Sequence, residues 1–154
     1  MDGMGGTPGL GAARPAGRSP AMKAKRRFRV LLIEDDAEFA ELYQMSLRAR
    51  ACEVEWALDG ERGLDIAARG EIDLVVLDMR LPGMDGVEVL RRLRALSGCE
   101  DLPIVIVSNY GDAQQRRRGR ELGALDWIDK VDTTPTDLSG WIRDCLIHQP
   151  PDGR

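Results

Sequence analysis

From residue 28 onward, short apolar runs alternate with stretches of helical period. Phe28–Ile33, Leu74–Leu77 and Pro103–Val107 are apolar runs of strand length, rich in β-branched residues and bounded by polar or turn-forming positions. Runs of this kind read as strands buried on both faces. Glu53–Ala57 alternates, with Val54 and Trp56 on one face, and Leu125–Ile128 reads as a last short strand. Between these runs the apolar spacing changes to that of helices. Phe39, Leu42, Tyr43 and Leu47 mark a helix over 36–49, Leu64, Ala67 and Ala68 one over 60–69, and Val89, Leu90, Leu93 and Leu96 one over 86–96. Residues 113–122 predict a polar helix. The clearest helix spans 135–146: Thr134 stands at its N-cap, Pro135 in its first turn, and Leu138, Trp141, Ile142, Cys145 and Leu146 form its apolar stripe.

Five strand–helix units imply a parallel sheet with helices on both faces and right-handed crossovers. In such open α/β sheets, chemistry collects at the carboxyl ends of the strands. A chain of 154 residues fits one such domain plus a tail. Residues 28–148 form the predicted domain. Residues 1–27, rich in Gly and Pro and then in basic groups, read as a disordered basic extension, and 149–154 as a short tail.

Charge is unevenly spread. Residues 1–27 hold six basic groups against one acid, so with −4 overall and +5 in this extension the remaining body carries −9. An acidic body with only 5% aromatic residues argues against nucleic-acid binding and suits a site for a divalent cation. Cys52, Cys99 and Cys145 match no metal or redox spacing and read as free thiols of a reducing cytoplasm. No run of 18 apolar residues predicts a membrane span.

The strand ends carry the candidate chemistry. The first runs out into Glu34-Asp35-Asp36, the third into Asp78, the fourth into Ser108-Asn109 and the fifth into Asp129-Lys130. Asp78 taken alone reads equally well as a reactive carboxylate or as a turn former. A parallel sheet, however, gathers all four ends at one edge. From residue 28 onward there are fifteen arginines and a single lysine, Lys130. A chain that otherwise prefers guanidinium uses a compact ammonium here, and the two are not interchangeable.

An acidic pair, an Asp, a Ser and a Lys at successive strand ends, with Asp78-Met79-Arg80-Leu81-Pro82-Gly83-Met84-Asp85-Gly86 after the third strand, resembles the receiver domain of two-component response regulators. The resemblance implies a flavodoxin-like (βα)5 doubly wound sheet with strand order 2-1-3-4-5, here as a stand-alone module. It implies that Asp78 takes a phosphoryl group from a sensor histidine kinase or a histidine phosphotransfer protein. Mg²⁺ is then expected on Asp35, Asp78 and the backbone carbonyl of Arg80, with Glu34 acting through water. Ser108 and Lys130 are expected to bond the phosphoryl oxygens, and Trp127 to take the place of the switch aromatic. The output implied is a changed contact with a downstream protein on the face made by the fourth helix, fifth strand and fifth helix, compatible with a homodimer. The family is no enzyme beyond its own phosphotransfer and dephosphorylation, and neither a DNA-binding domain nor a membrane segment is expected.

Several positions depart from that pattern. Val131 follows Lys130 where the family usually has proline, and Asn109 replaces a small residue. Arg80 and Tyr110 are expected to flank the phosphoryl pocket and shield it from water. Arg116, Arg117, Arg118 and Arg120 read as a solvated helix face. These departures keep an alternative in view: a degenerate receiver that binds partners without being phosphorylated.

Overall fold

The computed structural model describes residues 27–109 and 111–148. The expected extension, apart from Arg27, therefore lies outside the described residues, as do Tyr110 and the tail 149–154. The elements follow the predicted alternation: β1 (Phe28–Ile33), α1 (Ala37–Ala49), β2 (Cys52–Ala57), α2 (Gly60–Ala68), β3 (Leu74–Leu77), α3 (Gly86–Ala95), β4 (Ile104–Ser108), α4 (Ala113–Glu121), β5 (Asp126–Asp129), a 3₁₀ turn (Lys130–Asp132) and α5 (Pro135–His148). All strand pairs are parallel, and the sheet order is β2-β1-β3-β4-β5. This is the flavodoxin-like topology.

Alternation along the central strands divides the core in two. Leu31 and Ile33 of β1, Val75 and Leu77 of β3, and Ile104 and Ile106 of β4 face α2 and α3. Val30, Leu32, Leu74, Val76, Val105 and Val107 face α1 and α5, meeting Tyr43, Leu47, Leu138, Ile142 and Leu146. Each large aliphatic side chain so buried contributes roughly 1.5–3 kcal/mol. With both faces covered, the central strands β3 and β4 are apolar almost throughout, so their runs in the sequence do not alternate, whereas the edge strand β2 does.

Helix starts are set by short polar side chains. Asp36, Asp59, Asp85 and Asp112 accept first-turn backbone N–H groups of α1 to α4. Thr134 accepts from Asp137 N at 3.0 Å and caps α5. Each cap satisfies a donor that has no partner within its own helix.

The differences from expectation are at boundaries. β2 begins one residue early, because Cys52 is fully buried and pairs with Phe28. β4 runs through Ser108, which pairs with Asp129 in β5. β5 itself begins at Asp126 rather than Leu125. Among the described residues there is no cis peptide bond, so Lys130 joins Val131 in the trans form. No described helix is long and apolar enough to cross a membrane.

Candidate functional site

The pairings of β1 with β3 and with β2 each continue one step past the strands. Asp78 N donates to Ile33 O at 3.0 Å, and Glu34 N donates to Ala57 O at 3.0 Å. These bonds fix Glu34 and Asp78 beside each other at the carboxyl edge of the sheet, both almost fully buried, with Asp35 exposed next to them. Oxygen atoms of Glu34, Asp35 and Asp78 all lie within 4.8 Å of one another.

The loop after β3 folds back over the carboxylate. Arg80 N donates to Asp78 Oδ1 at 3.2 Å, and Gly86 N donates to Met79 O at 3.0 Å. A Cβ at residue 86 would lie 2.6 Å from Met79 Cα and 3.0 Å from Asp78 O. Only glycine lets α3 begin this close to the end of β3, which accounts for Gly86 in the motif.

Lys130, in the first position after β5, reaches across the edge. Its Nζ lies 2.9 Å from Glu34 Oε1 and 3.4 Å from Asp78 Oδ2, and its side chain is only 6% exposed. The ammonium also lies 4.4 Å from the centroid of the Phe39 ring on α1. Burial pushes the Glu34 carboxyl up to about 7, against the bond from Lys130 and with Asp78 adding to the rise. Burial alone would lower the Lys130 ammonium. The Glu34 bond and the charge of Asp78 outweigh that and hold it above its ordinary value. Tyr43 lies beneath the cluster, and its hydroxyl is pushed up by burial and by the negative charge of Glu34 and Asp78. The site is therefore acidic on balance, with three carboxylates against one ammonium. Three hard oxygen donors in this arrangement suit Mg²⁺.

Ser108 ends β4 fully buried, while Asn109 and Arg80 are exposed at the rim. Trp127, on β5, is half-buried and packs toward α4. A Cβ on Gly111 would lie 2.3 Å from its Cζ2, so the loop after Ser108 can pass the indole only as glycine. Trp127 Nε1 is buried without a hydrogen-bond partner. Arg116 covers the ring at 5.3 Å, donates from Nε to Gly111 O at 3.2 Å, and pairs with Asp129 Oδ1 at 2.8 Å. The expected solvated face thus holds for Arg117, Arg118 and Arg120, which are exposed, but not for Arg116.

The structure brings Glu34, Asp35, Asp78 and Lys130 into one cluster, with Ser108 at the neighbouring strand end. Sequence reasoning missed three contributors. Helical spacing marks Phe39 and Tyr43 only as part of the apolar stripe of α1, although both follow closely on the acidic triplet and so lie near the same sheet edge. Trp56 donates from Nε1 to Glu34 O at 2.7 Å and supports the first strand end; no sequence pattern marks that contact.

Comparison with known proteins agrees with this geometry. Residues 30–139 match the family described as response regulator receiver domain. The chain is 37% identical over 102 residues to the response regulator MprA of Mycobacterium sp. (strain KMS), covering 66% of this chain and 44% of that protein. It is 33% identical over 102 residues to the DNA-binding dual master transcriptional regulator RpaA of Synechocystis sp., covering 66% of this chain and 42% of that protein. The chain thus spans less than half the length of these relatives. Among solved structures, a CheY-like receiver domain protein from Methanospirillum hungatei superposes with a TM-score of 0.76 at 26% identity, covering 83% of this chain and 100% of the other. A response regulator structure from Chloroflexus aurantiacus gives 0.71 at 30% identity, covering 79% and 99%. The strand order, the edge cluster and these likenesses agree: the chain belongs to the response regulator receiver domain family.

Proposed function

We propose that this receiver domain accepts a phosphoryl group on Asp78 from a phosphohistidine of a sensor kinase or a histidine phosphotransfer protein. The observation that carries the reading is the position of the Lys130 ammonium, bonded to both Glu34 and Asp78 at the edge where Asp35 completes an acidic cluster. An Asp78 oxygen attacks phosphorus, the phosphorus–nitrogen bond breaks, and the electron pair leaves with the imidazole, giving an acyl phosphate. Asp35, Asp78 and the carbonyl of Arg80 would hold Mg²⁺, with Glu34 in support. When bound there, the ion supplies the positive charge that a carboxylate needs to meet an anionic phosphoryl group.

The chain's own residues do the rest. The Arg80 N–H on Asp78 Oδ1 orients the carboxylate. Lys130 turns from the carboxylates to the new phosphoryl oxygens. Ser108, at the end of β4, is placed to donate its hydroxyl to one of them. Because Gly111 follows Ser108 in the same loop and packs against Trp127, a shift of Ser108 carries to β5 and α4. The output is a changed contact on the α4–β5–α5 face with a downstream protein or a second copy. A cytoplasmic setting fits these partners.

Treatment of the protein with acetyl phosphate and Mg²⁺ followed by mass spectrometry tests the reading. One phosphoryl group is expected on Asp78 and none on Asp78→Asn. An unmodified parent protein would favour the phosphorylation-independent binding module instead.

A further inference from the structure

We propose that Phe39 is a positioning residue for Lys130, holding the ammonium on its ring face so that the group can leave Glu34 for a phosphoryl oxygen; this rests on Asp78 being the phosphoacceptor. Lysine is a point charge on a flexible four-carbon stem, and nothing in the stem fixes where its head lies. Two carboxylates hold the head from one side, at 2.9 Å and 3.4 Å. The Phe39 ring closes another side at 4.4 Å from its centroid, within the range where the negative face of an aromatic ring attracts a cation.

The ring is itself well fixed. Phe39 N donates to the capping carboxylate of Asp36 at 3.3 Å, and the ring packs on Tyr43 at a centroid distance of 5.9 Å. Its place is therefore set by the same turn that carries Asp35 and Asp36. A ring differs from a third carboxylate in one useful way. It attracts the ammonium without forming an ion pair that must break when the head moves. The Lys130 side chain is almost wholly removed from water, where such a contact is strongest. The competing account is that Phe39 only fills space between α1 and the sheet, where it packs with the apolar residues of that face. A leucine of similar bulk would serve that role equally well.

The full chain carrying Phe39→Leu, Phe39→Tyr, Lys130→Met and the Phe39→Leu/Lys130→Met pair separates the two accounts; Phe39→Met replaces the leucine variant if that one does not fold. Three readings decide. In the parent, the ε-methylene protons of Lys130 should be shifted upfield in NMR spectra by the ring current, and Phe39→Leu should abolish the shift. Urea denaturation should give a coupling of roughly three- to tenfold in the folding constant between Phe39 and Lys130. The rate of phosphorylation by acetyl phosphate with Mg²⁺ should fall by a similar factor in Phe39→Leu and return in Phe39→Tyr. Absence of both the shift and the coupling while the parent is phosphorylated overturns the role of Phe39 alone. A parent that takes no phosphoryl group on Asp78 overturns the phosphoacceptor reading and this role together.

Discussion

The guanidinium of Arg116 lies 5.3 Å from the centre of the Trp127 ring, across the gap between α4 and β5. The same side chain bonds Gly111 O in the loop after Ser108 and Asp129 in the residue before Lys130. One arginine therefore joins both strand ends flanking the β4–β5 side of the site to the aromatic ring on the α4–β5 surface. The indole is pressed against Gly111 and Gly119 beneath it, with its Nε1 lacking a partner. Gly111 is thus held from two sides, by the indole and by the Arg116 bond to its carbonyl.

Replacing Arg116 by Met keeps an apolar stem over the ring and removes the ion pair and the charge. Both members of the Arg116–Asp129 pair are about one-third exposed, so the pair and the ring contact together contribute only about 1 kcal/mol. We expect that loss in urea denaturation, together with a red shift of the Trp127 emission. Trp56 and Trp141 also fluoresce, so the shift must vanish when Trp127→Phe is added. Arg117→Met, on the exposed face, should change neither quantity. Equal emission from the parent and Arg116→Met would show that Arg116 does not hold the ring.

Arg94 is a separate structural tie. Its guanidinium donates to Leu122 O, Cys99 O, Leu102 O and Gly123 O, at 3.0, 3.1, 2.7 and 2.8 Å. It thereby satisfies carbonyls left open at the end of α4 and joins them to the approach to β4. Burial lowers its pKa, yet a guanidinium stays charged. Arg94→Met keeps most of the stem and strands the carbonyls of Leu102, Leu122 and Gly123, some of which water can reach, while Cys99 O keeps a bond from Leu102 N at 3.3 Å. A loss of about 2–3 kcal/mol is expected from urea midpoints at unchanged slope. A loss below about 0.5 kcal/mol would mean that water replaces the arginine fully.

The contrast among these residues shows what the sequence carried. The sheet was legible because its central strands are buried on both faces and so leave apolar runs, and because its edge strand β2 alternates. The cluster of Glu34, Asp35, Asp78 and Lys130 was legible because topology alone brings the ends of β1, β3 and β5 together. Boundaries moved by a residue where pairing, not composition, decides: Ser108 joins β4 because Asp129 lies opposite. Phe39 and Arg116 were not legible in their roles. An aromatic at helical spacing counts as core, and an arginine among arginines counts as solvated, until the partner across the fold is known.

Ala51 offers a test of backbone strain away from the site. It follows α1 with φ of 66°, in the left-handed region, and its N–H closes the helix on Arg48 O at 3.0 Å. A Cβ in that region costs about 1–2 kcal/mol. Glycine removes the strain but adds freedom to the unfolded chain, which costs about 0.4–1 kcal/mol. Ala51→Gly should therefore stabilise the protein by about 0.5–1 kcal/mol in denaturation. A destabilised variant would show that the methyl makes contacts worth more than the strain.

The charge balance of the site predicts opposite effects of one substitution with and without Mg²⁺. Asp78 has two carboxylates within 4.8 Å and one ammonium at 3.4 Å. At the effective dielectric of a protein, unit charges this close interact by a few kcal/mol, so at pH 8, above the raised value of Glu34, the repulsion from Glu34 and Asp35 exceeds the attraction to Lys130. Asp78→Asn keeps an acceptor for Arg80 N and removes the charge. Without Mg²⁺ the variant should be more stable than the parent by about 1 kcal/mol. Adding the ion reverses the order. At ten times its dissociation constant, a ligand held only by the folded state stabilises by about 1.4 kcal/mol. The parent gains that increment, and the variant, lacking a central ligand, gains little. Urea denaturation of both proteins in EDTA and in millimolar Mg²⁺ gives the four numbers. A variant less stable than the parent in EDTA would show that the Lys130 pair dominates the site. An equal Mg²⁺ response in the two proteins would place the ion elsewhere.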